Sequence, residues 1–379
     1  MALQLQRSAP FDRSEAASFV VGMPAAAAVF ALWPEPDPPP GTQPYLGRTS
    51  NLRHRLERLL ANPRPGLRRL NLQEFTRRVD YQCVGSSFEA AWLVYELNRA
   101  YYPGTYKKRL RLKPPSLLKV NLDNRFPRCY ATRRLAGDGS LYYGPFPSRT
   151  EAERFAGEFL DLFKVRRCVE DLDPDPKHPG CIYSQMRMCL APCYGGCTDG
   201  EYQQEVARAV EFLDTEGASL VRGLERERES ASERLEFEQA ARLHERLDKA
   251  QDVLRRRPAL ARNLADLHAL ILEPGAEPKS VAFFRVHAGK LLGPAFLSLE
   301  ERVAQPAPLD QRIQAVLASL APPVESDGHA RSLPSWEHLA ILARWYYSSF
   351  RDGEFVLLNR AGDVPHARLI RLCRKLASP

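Results

Sequence analysis

The chain has 379 residues, 44% of them hydrophobic and 26% charged, with a formal net charge of +8 and a pI of about 9.1. This balance excludes a disordered polypeptide, fits two or three soluble domains, and is compatible with a polyanionic partner. Five of the eight cysteines lie between Cys168 and Cys197, which argues against a secreted disulfide scaffold, whose bridges would spread through a shorter chain.

Residues 1–16 read as loose and polar. The run FVVGMPAAAAVFALW, residues 19–33, is too short to cross a bilayer. Asp12 and Glu15 interrupt the positive charge that a secretory leader would need. The run therefore reads as a buried segment, with AAAAVFALW as its strand, and the protein as cytoplasmic with no membrane partner. PEPDPPPGTQ cannot be regular structure, because proline fixes φ and removes donors. PYLGRTSNLRHRLERLL reads as a strand entering a helix capped by Ser50, with Leu52, Leu56 and Leu59 on its apolar face. RRVDYQCVG is strand-like, and SSFEAAWLVYELNRAYY is a helix capped by Ser87, with Trp92, Leu93 and Leu97 turned inward.

Residues 99–134 carry eleven lysines and arginines against a single acid, Asp123, with tyrosines and Phe126 between them. Clustered cations of one sign suit phosphate contacts, and Lys107, Lys108, Arg109, Arg111 and Lys113 are the candidate DNA-binding residues. The other reading is a solvated basic face. Beyond the cysteines, residues 200–257 read as a helical hairpin. Ala240, Leu243, Leu247, Ala250 and Leu254 form a narrow seam at alternating spacings of three and four, suited to one partner helix, which the hairpin's own first arm can supply. KSVAFFRVHAGKLLGPAFLSL reads as a β-hairpin turning at HAGK. A proline-rich linker, LAPPVESDGHARSLP, and an amphipathic helix, SWEHLAILARWYYSSF, follow.

Cys168, Cys181, Cys189 and Cys193 are separated by twelve, seven and three residues. Thiolates suit zinc and iron–sulfur clusters, but this is not the paired C-x-x-C spacing of a zinc ribbon. Structural thiols remain the alternative.

Three passages resemble the UvrC family of excinuclease proteins. They are YYGPFPSRTEAERFAGEFLDLFKVRRC, CIYSQMRMCLAPCYGGCTDGEY and LEFEQAARLHERL, the last similar to a UVR motif. The resemblance implies a four-iron, four-sulfur cluster, with zinc as alternative, on Cys168, Cys181, Cys189 and Cys193. It also implies docking of a UvrB-like protein through Phe237, Ala240, Leu243 and Leu247. The N-terminal part resembles a GIY-YIG nuclease domain in which AVF, Ala28–Phe30, stands for GIY and YLG, Tyr45–Gly47, for YIG. Tyr45, Arg48 and Arg55 match as remnant catalytic positions. Three positions depart from the pattern. Phe30 lacks the tyrosine hydroxyl, Val94 stands where the metal-binding glutamate belongs, and Lys107 replaces an asparagine. Glu89 matches only the first glutamate of that motif. Glu96, two residues on from Val94, lies near the opposite helix face. No catalytic divalent metal is therefore expected.

The expected fold is α+β. A degenerate GIY-YIG-like domain spans 17–112, a basic linker and cysteine-rich region 113–200, a UVR hairpin 201–257, and an α+β region without an RNase H-like nuclease 258–379. The function expected is a UvrC-like protein of nucleotide excision repair that binds DNA and docks a partner without incising. The alternatives are an active GIY-YIG-type endonuclease with a rearranged site and a UVR-bearing metal-binding scaffold that does not act on DNA.

Overall fold

The structure is a computed structural model describing residues 4–60, 70–300, 307–322, 334–360 and 362–377. Its N-terminal region contains β1 (Arg7–Pro10), α1 (Ala16–Val21), β2 (Ala28–Trp33), β3 (Tyr45–Thr49), α2 (Leu52–Leu60), β4 (Arg78–Cys83), α3 (Ser87–Tyr101) and the short α4 (Tyr106–Arg109). The strands form an antiparallel sheet in the order β1-β4-β2-β3. Strand β2 is buried along its whole length, because both of its faces are covered. Ala28, Phe30 and Leu32 pack under α1 and α2, whereas Val29 faces α3 with Leu46, Leu97 and Val94. A strand covered on both faces reads as a continuous apolar run, as AVFALW does.

Three expectations for this region are corrected. Residues 7–10 are an edge strand, paired from Arg7 opposite Tyr81 to Pro10 opposite Arg78. Its polar composition and terminal proline suit an edge and hide it from pattern reading. The cap of α2 is Asn51, whose Oδ1 accepts from His54 N at 3.0 Å, in place of Ser50. The cap of α3 is Ser86, which accepts from Glu89 N at 3.0 Å, one residue before the expected Ser87.

The middle region contains β5 (Ser116–Val120), β6 (Cys129–Thr132), β7 (Leu141–Phe146), α5 (Arg149–Leu160), α6 (Ile182–Gln185) and α7 (Asp199–Asp214). It is a folded unit, which corrects the expectation of a basic linker over 113–200. Phe126, Phe146, Phe155, Phe159, Phe163, Tyr202 and Phe212 build its core. Helix α7 belongs to this core through Tyr202, Val206, Ala209 and Phe212, so the expected hairpin loses residues 201–214 to it. The hairpin itself is α8 (Ala218–Glu233) and α9 (Phe237–Arg255).

The C-terminal region adds β8 (Arg262–Asn263), which extends the middle sheet to the order β6-β5-β7-β8. Then come β9 (Ala269–Pro274), β10 (Ser280–His287), β11 (Lys290–Ser298), α10 (Leu309–Ser319), α11 (Trp336–Tyr346), β12 (Glu354–Leu357) and α12 (His366–Ala377). Their antiparallel sheet runs β11-β10-β9-β12, with the expected turn after His287. Leu270, Leu272 and Phe283 pack toward α10 and α12; Ile271 and Phe284 pack on the other face with α11. Most of the proline-rich linker lies outside the described residues.

Helix α3 joins the two ends of the chain. Phe88, Trp92 and Tyr95 enter the core beneath α11, and Trp92 Nε1 donates to Gly293 O at 2.8 Å. The junction is tight at Gly85, where an added Cβ would lie 2.2 Å from Pro274 O.

Candidate nucleic-acid interface and thiol cluster

Strand alternation divides the residues that resemble a nuclease site. Tyr45 and Gly47 pair with Leu32 and Phe30, and they lie on the face covered by α1 and α2. Arg55 of α2 is there too, its Nη2 donating to Tyr45 Oη at 3.2 Å. Arg48 pairs with Val29 and falls on the opposite face, beside Leu46 and α3. Val94 packs into the apolar cluster of Val29, Val84 and Leu97 on that second face. The sheet therefore separates Tyr45 and Arg55 from Arg48 and does not bring the three into one constellation. Glu96 leans toward Arg99, 3.9 Å away. Glu89 is buried, and its Oε2 accepts from Gly85 N at 2.9 Å.

On the second face, a cavity of about 450 Å³ opens between the N-terminal region and α11. Arg48 and Val94 line one side, Arg344 and Phe350 the other, and Arg109 also reaches it. Among the described residues, no carboxylate lines it. Phe350 is 84% exposed, and all three arginines are exposed.

The basic stretch does not form one surface. Lys107 Nζ lies 2.9 Å from Glu337 Oε1 and against the Trp336 ring. Glu337 also accepts from Tyr95 Oη at 2.7 Å and Tyr106 Oη at 2.9 Å. Burial raises the Glu337 pKa, but the bonds from Tyr95, Lys107 and Tyr106 outweigh it and hold the carboxyl below its ordinary value. Lys107 thus ties α4 to α11. Lys119 is held by Asp138, and Arg125 is bonded to Asp199 at 2.7 and 3.0 Å. Lys108, Arg111 and Lys113 stay exposed and form no ion pair among the described residues. Arg109 stacks on Tyr102 at 3.7 Å, and its Nε donates to Asn98 Oδ1 at 3.0 Å.

The segment 168–197 folds over the end of the middle domain. Cys168, Cys181 and Cys193 all lie within electrostatic reach of Cys189, whose pKa is pushed up to about 11, first by burial and then by these neighbours. Mutual repulsion of four thiolates is relieved by a bound cation. Cys168 Sγ has Arg166 Nη1 at 3.4 Å, and Cys189 Sγ accepts from Ala191 N at 3.3 Å, as thiolate ligands do. The donor set suits a soft metal group. The thiols are gathered without closing on a common centre, since no three metal-binding side chains converge among the described residues. Cys197 packs against the middle-domain core.

The helical hairpin corrects the expected docking surface. Leu243 and Leu247 are buried against Leu224 and Ala231 of α8, and Ala240 is partly buried with them. Of the expected docking residues only Phe237 stands free, 68% exposed beside Leu235 at the hairpin tip.

Arg344, Phe350 and Glu337 escaped the sequence reading, because their positions acquire meaning only when α11 meets α3. The signal available was an exposed Phe350 and Arg351 directly after an amphipathic helix. Among the described residues, no helix is long and apolar enough to cross a membrane.

Residues 116–212 match the family described as UvrC/Cho excinuclease, middle domain, and residues 218–253 match the UvrB/uvrC motif. The chain is 28% identical to UvrABC system protein C of Methanothermobacter thermautotrophicus over 253 residues, which is 66% of this chain and 42% of that protein. It is 30% identical to the Syntrophotalea carbinolica protein of the same name over 268 residues, 69% of this chain and 43% of that one. The chain therefore spans about two-fifths of the length of these curated relatives. No solved structure matches.

Proposed function

From its kinship with UvrC proteins across the middle domain and the UVR motif, we propose that this chain is a DNA-binding protein of nucleotide excision repair that lacks incision activity of its own. The observation carrying the second half is Val94. An apolar side chain within an apolar cluster occupies the position where the nuclease resemblance requires a metal-binding carboxylate. A hard divalent cation needs oxygen ligands, and hydrolysis without it loses most of its charge stabilisation. The division of Tyr45 and Arg55 from Arg48 by the sheet supports the same reading. DNA would be held by the exposed Lys108, Arg109, Arg111 and Lys113, which attract phosphate of any sequence.

In this reading Cys168, Cys181, Cys189 and Cys193 hold a four-iron, four-sulfur cluster, which when bound supplies a rigid cross-link and a redox-active centre. The cation relieves the repulsion among the thiolates, and Arg166 and Ala191 direct N–H groups at the sulfurs. The hairpin tip at Leu235 and Phe237 docks a UvrB-like partner.

A plasmid-nicking assay on damaged DNA with magnesium or manganese tests the reading. Salt-sensitive binding without nicks is expected. Nicking that Tyr45→Phe abolishes would establish the active-endonuclease alternative, and DNA binding that is absent or indifferent to salt would favour the scaffold.

A further inference from the structure

We propose that the cleft between α3 and α11 binds one unpaired nucleotide of a DNA strand, its phosphate held by Arg48, Arg109 and Arg344 and its base stacked on Phe350. The inference deepens the DNA-binding reading and rests on it.

The cleft's charge points to the phosphate. Arg48, Arg109 and Arg344 border the cavity, and none of them pairs with a carboxylate among the described residues. Arg344 Nη2 donates to Arg111 O at 3.3 Å, which uses one of its five donors. Glu337, two helical turns before Arg344, is already engaged by Tyr95, Tyr106 and Lys107. The site thus keeps a positive excess that a phosphate diester completes.

The cleft's walls point to the base. Val94, Ala91, Leu112 and Ile341 make an apolar floor, in a volume of about 450 Å³ that lies within the range of small-molecule sites. A duplex cannot insert a base into such a volume without unpairing it, so the occupant is a strand already opened, as around a lesion or in a bubble. Phe350 at the rim is the exposed ring that such a base can cover. Proteins that hold single strands combine a cation-lined groove with aromatics on which the bases stack.

The test compares two labelled oligonucleotides with the full chain, one fully paired and one with a central unpaired bubble containing 2-aminopurine. Fluorescence anisotropy is read across a salt series. Tighter binding to the bubble is expected, with a fall in 2-aminopurine emission as the base stacks. Phe350→Ala should weaken bubble binding about tenfold and leave duplex binding unchanged. Arg344→Glu should weaken it further and lower the salt slope. Both side chains are exposed, so neither change empties the core. Equal affinity for both DNAs, with Phe350→Ala and Arg344→Glu silent, overturns the nucleotide cleft while sparing the DNA-binding reading. Absence of salt-sensitive binding to either DNA overturns both.

Discussion

The tip of the Phe30 ring presses on Gly47 of the neighbouring strand, so closely that a Cβ on Gly47 would sit 2.4 Å from Phe30 Cζ. Gly47 needs no unusual backbone conformation; its missing side chain makes room for the ring. Gly47→Ala should therefore act through sterics alone. Phe30 is fully buried and cannot swing out, so the substitution should cost about 1–3 kcal/mol of stability. Chemical denaturation checks this. Combining Gly47→Ala with Phe30→Leu should recover part of the loss and give a non-additive cycle.

The same strand pair bears on the proposed lack of incision. Val94→Glu would place a carboxylate near Arg48, on the α3 face of the sheet. Phe30 would still lack a hydroxyl, and Tyr45 with Arg55 would still lie on the α2 side of the sheet. The variant should bind DNA and yield no magnesium- or manganese-dependent nicks. Nicking by Val94→Glu alone would contradict the division of the site by the sheet.

Glu273 on β9 is buried, with neither oxygen hydrogen-bonded, and Gly353 is pressed against it. Trp345 Nε1, buried beside it, draws the carboxyl's pKa down without reaching good hydrogen-bond geometry. Burial pushes the Glu273 pKa up to about 8, and Glu89 across the junction is likewise raised to about 7 by burial. A carboxyl whose folded pKa exceeds its unfolded value keeps its proton longer in the folded state. Stability then falls as pH rises from the unfolded value near 4.5 through the folded value near 8. Glu273→Gln should remove about 2–4 kcal/mol of that fall. Urea titrations at pH 5.5 and 9 would show it as a flatter stability profile for the variant. An unchanged profile would mean that Glu273 is not the titrating group.

The thiols give a prediction with a direct optical readout. Protein purified without oxygen should show the broad visible absorption of an iron–sulfur cluster. Serine at Cys168, Cys181, Cys189 or Cys193 should abolish it, whereas Cys197→Ser, in a side chain packed on the core, should keep it. Colourless protein carrying one zinc, lost with the same four substitutions, would assign the zinc alternative.

The sequence was most legible where a pattern is local. The strand Ala28–Trp33, the turn after His287 and the helix from Trp336 follow from runs, turn residues and a cap within a few positions. Pairings distant in sequence were hidden. Strand β8 has two residues and joins a sheet begun nearly 150 residues earlier, so nothing local marks it. The middle domain read as a linker because its short strands are interrupted by cations, of which Lys119 is drawn inward by Asp138. At the site, the residue identities Phe30, Val94 and Lys107 were readable. Which face of the sheet each one occupies was not, because motif matching carries no register. The nucleotide cleft was illegible for a further reason, since α3 and α11 supply it from opposite ends of the chain.

The hairpin separates two roles that the seam pattern had merged. Leu247 is 4% exposed and packs on α8, so Leu247→Ala should destabilise the hairpin by about 2–4 kcal/mol. Any loss of partner binding in that variant follows from unfolding. Phe237 is 68% exposed at the tip and contributes little to the fold. Phe237→Ala should leave helicity and the unfolding midpoint unchanged and weaken association with a UvrB-like partner at least tenfold, since exposed aromatic anchors dominate such contacts. Circular dichroism and titration calorimetry on the two variants measure both effects. If Phe237→Ala lowers the midpoint as Leu247→Ala does, the tip is part of the fold and the docking surface lies elsewhere on α8 and α9.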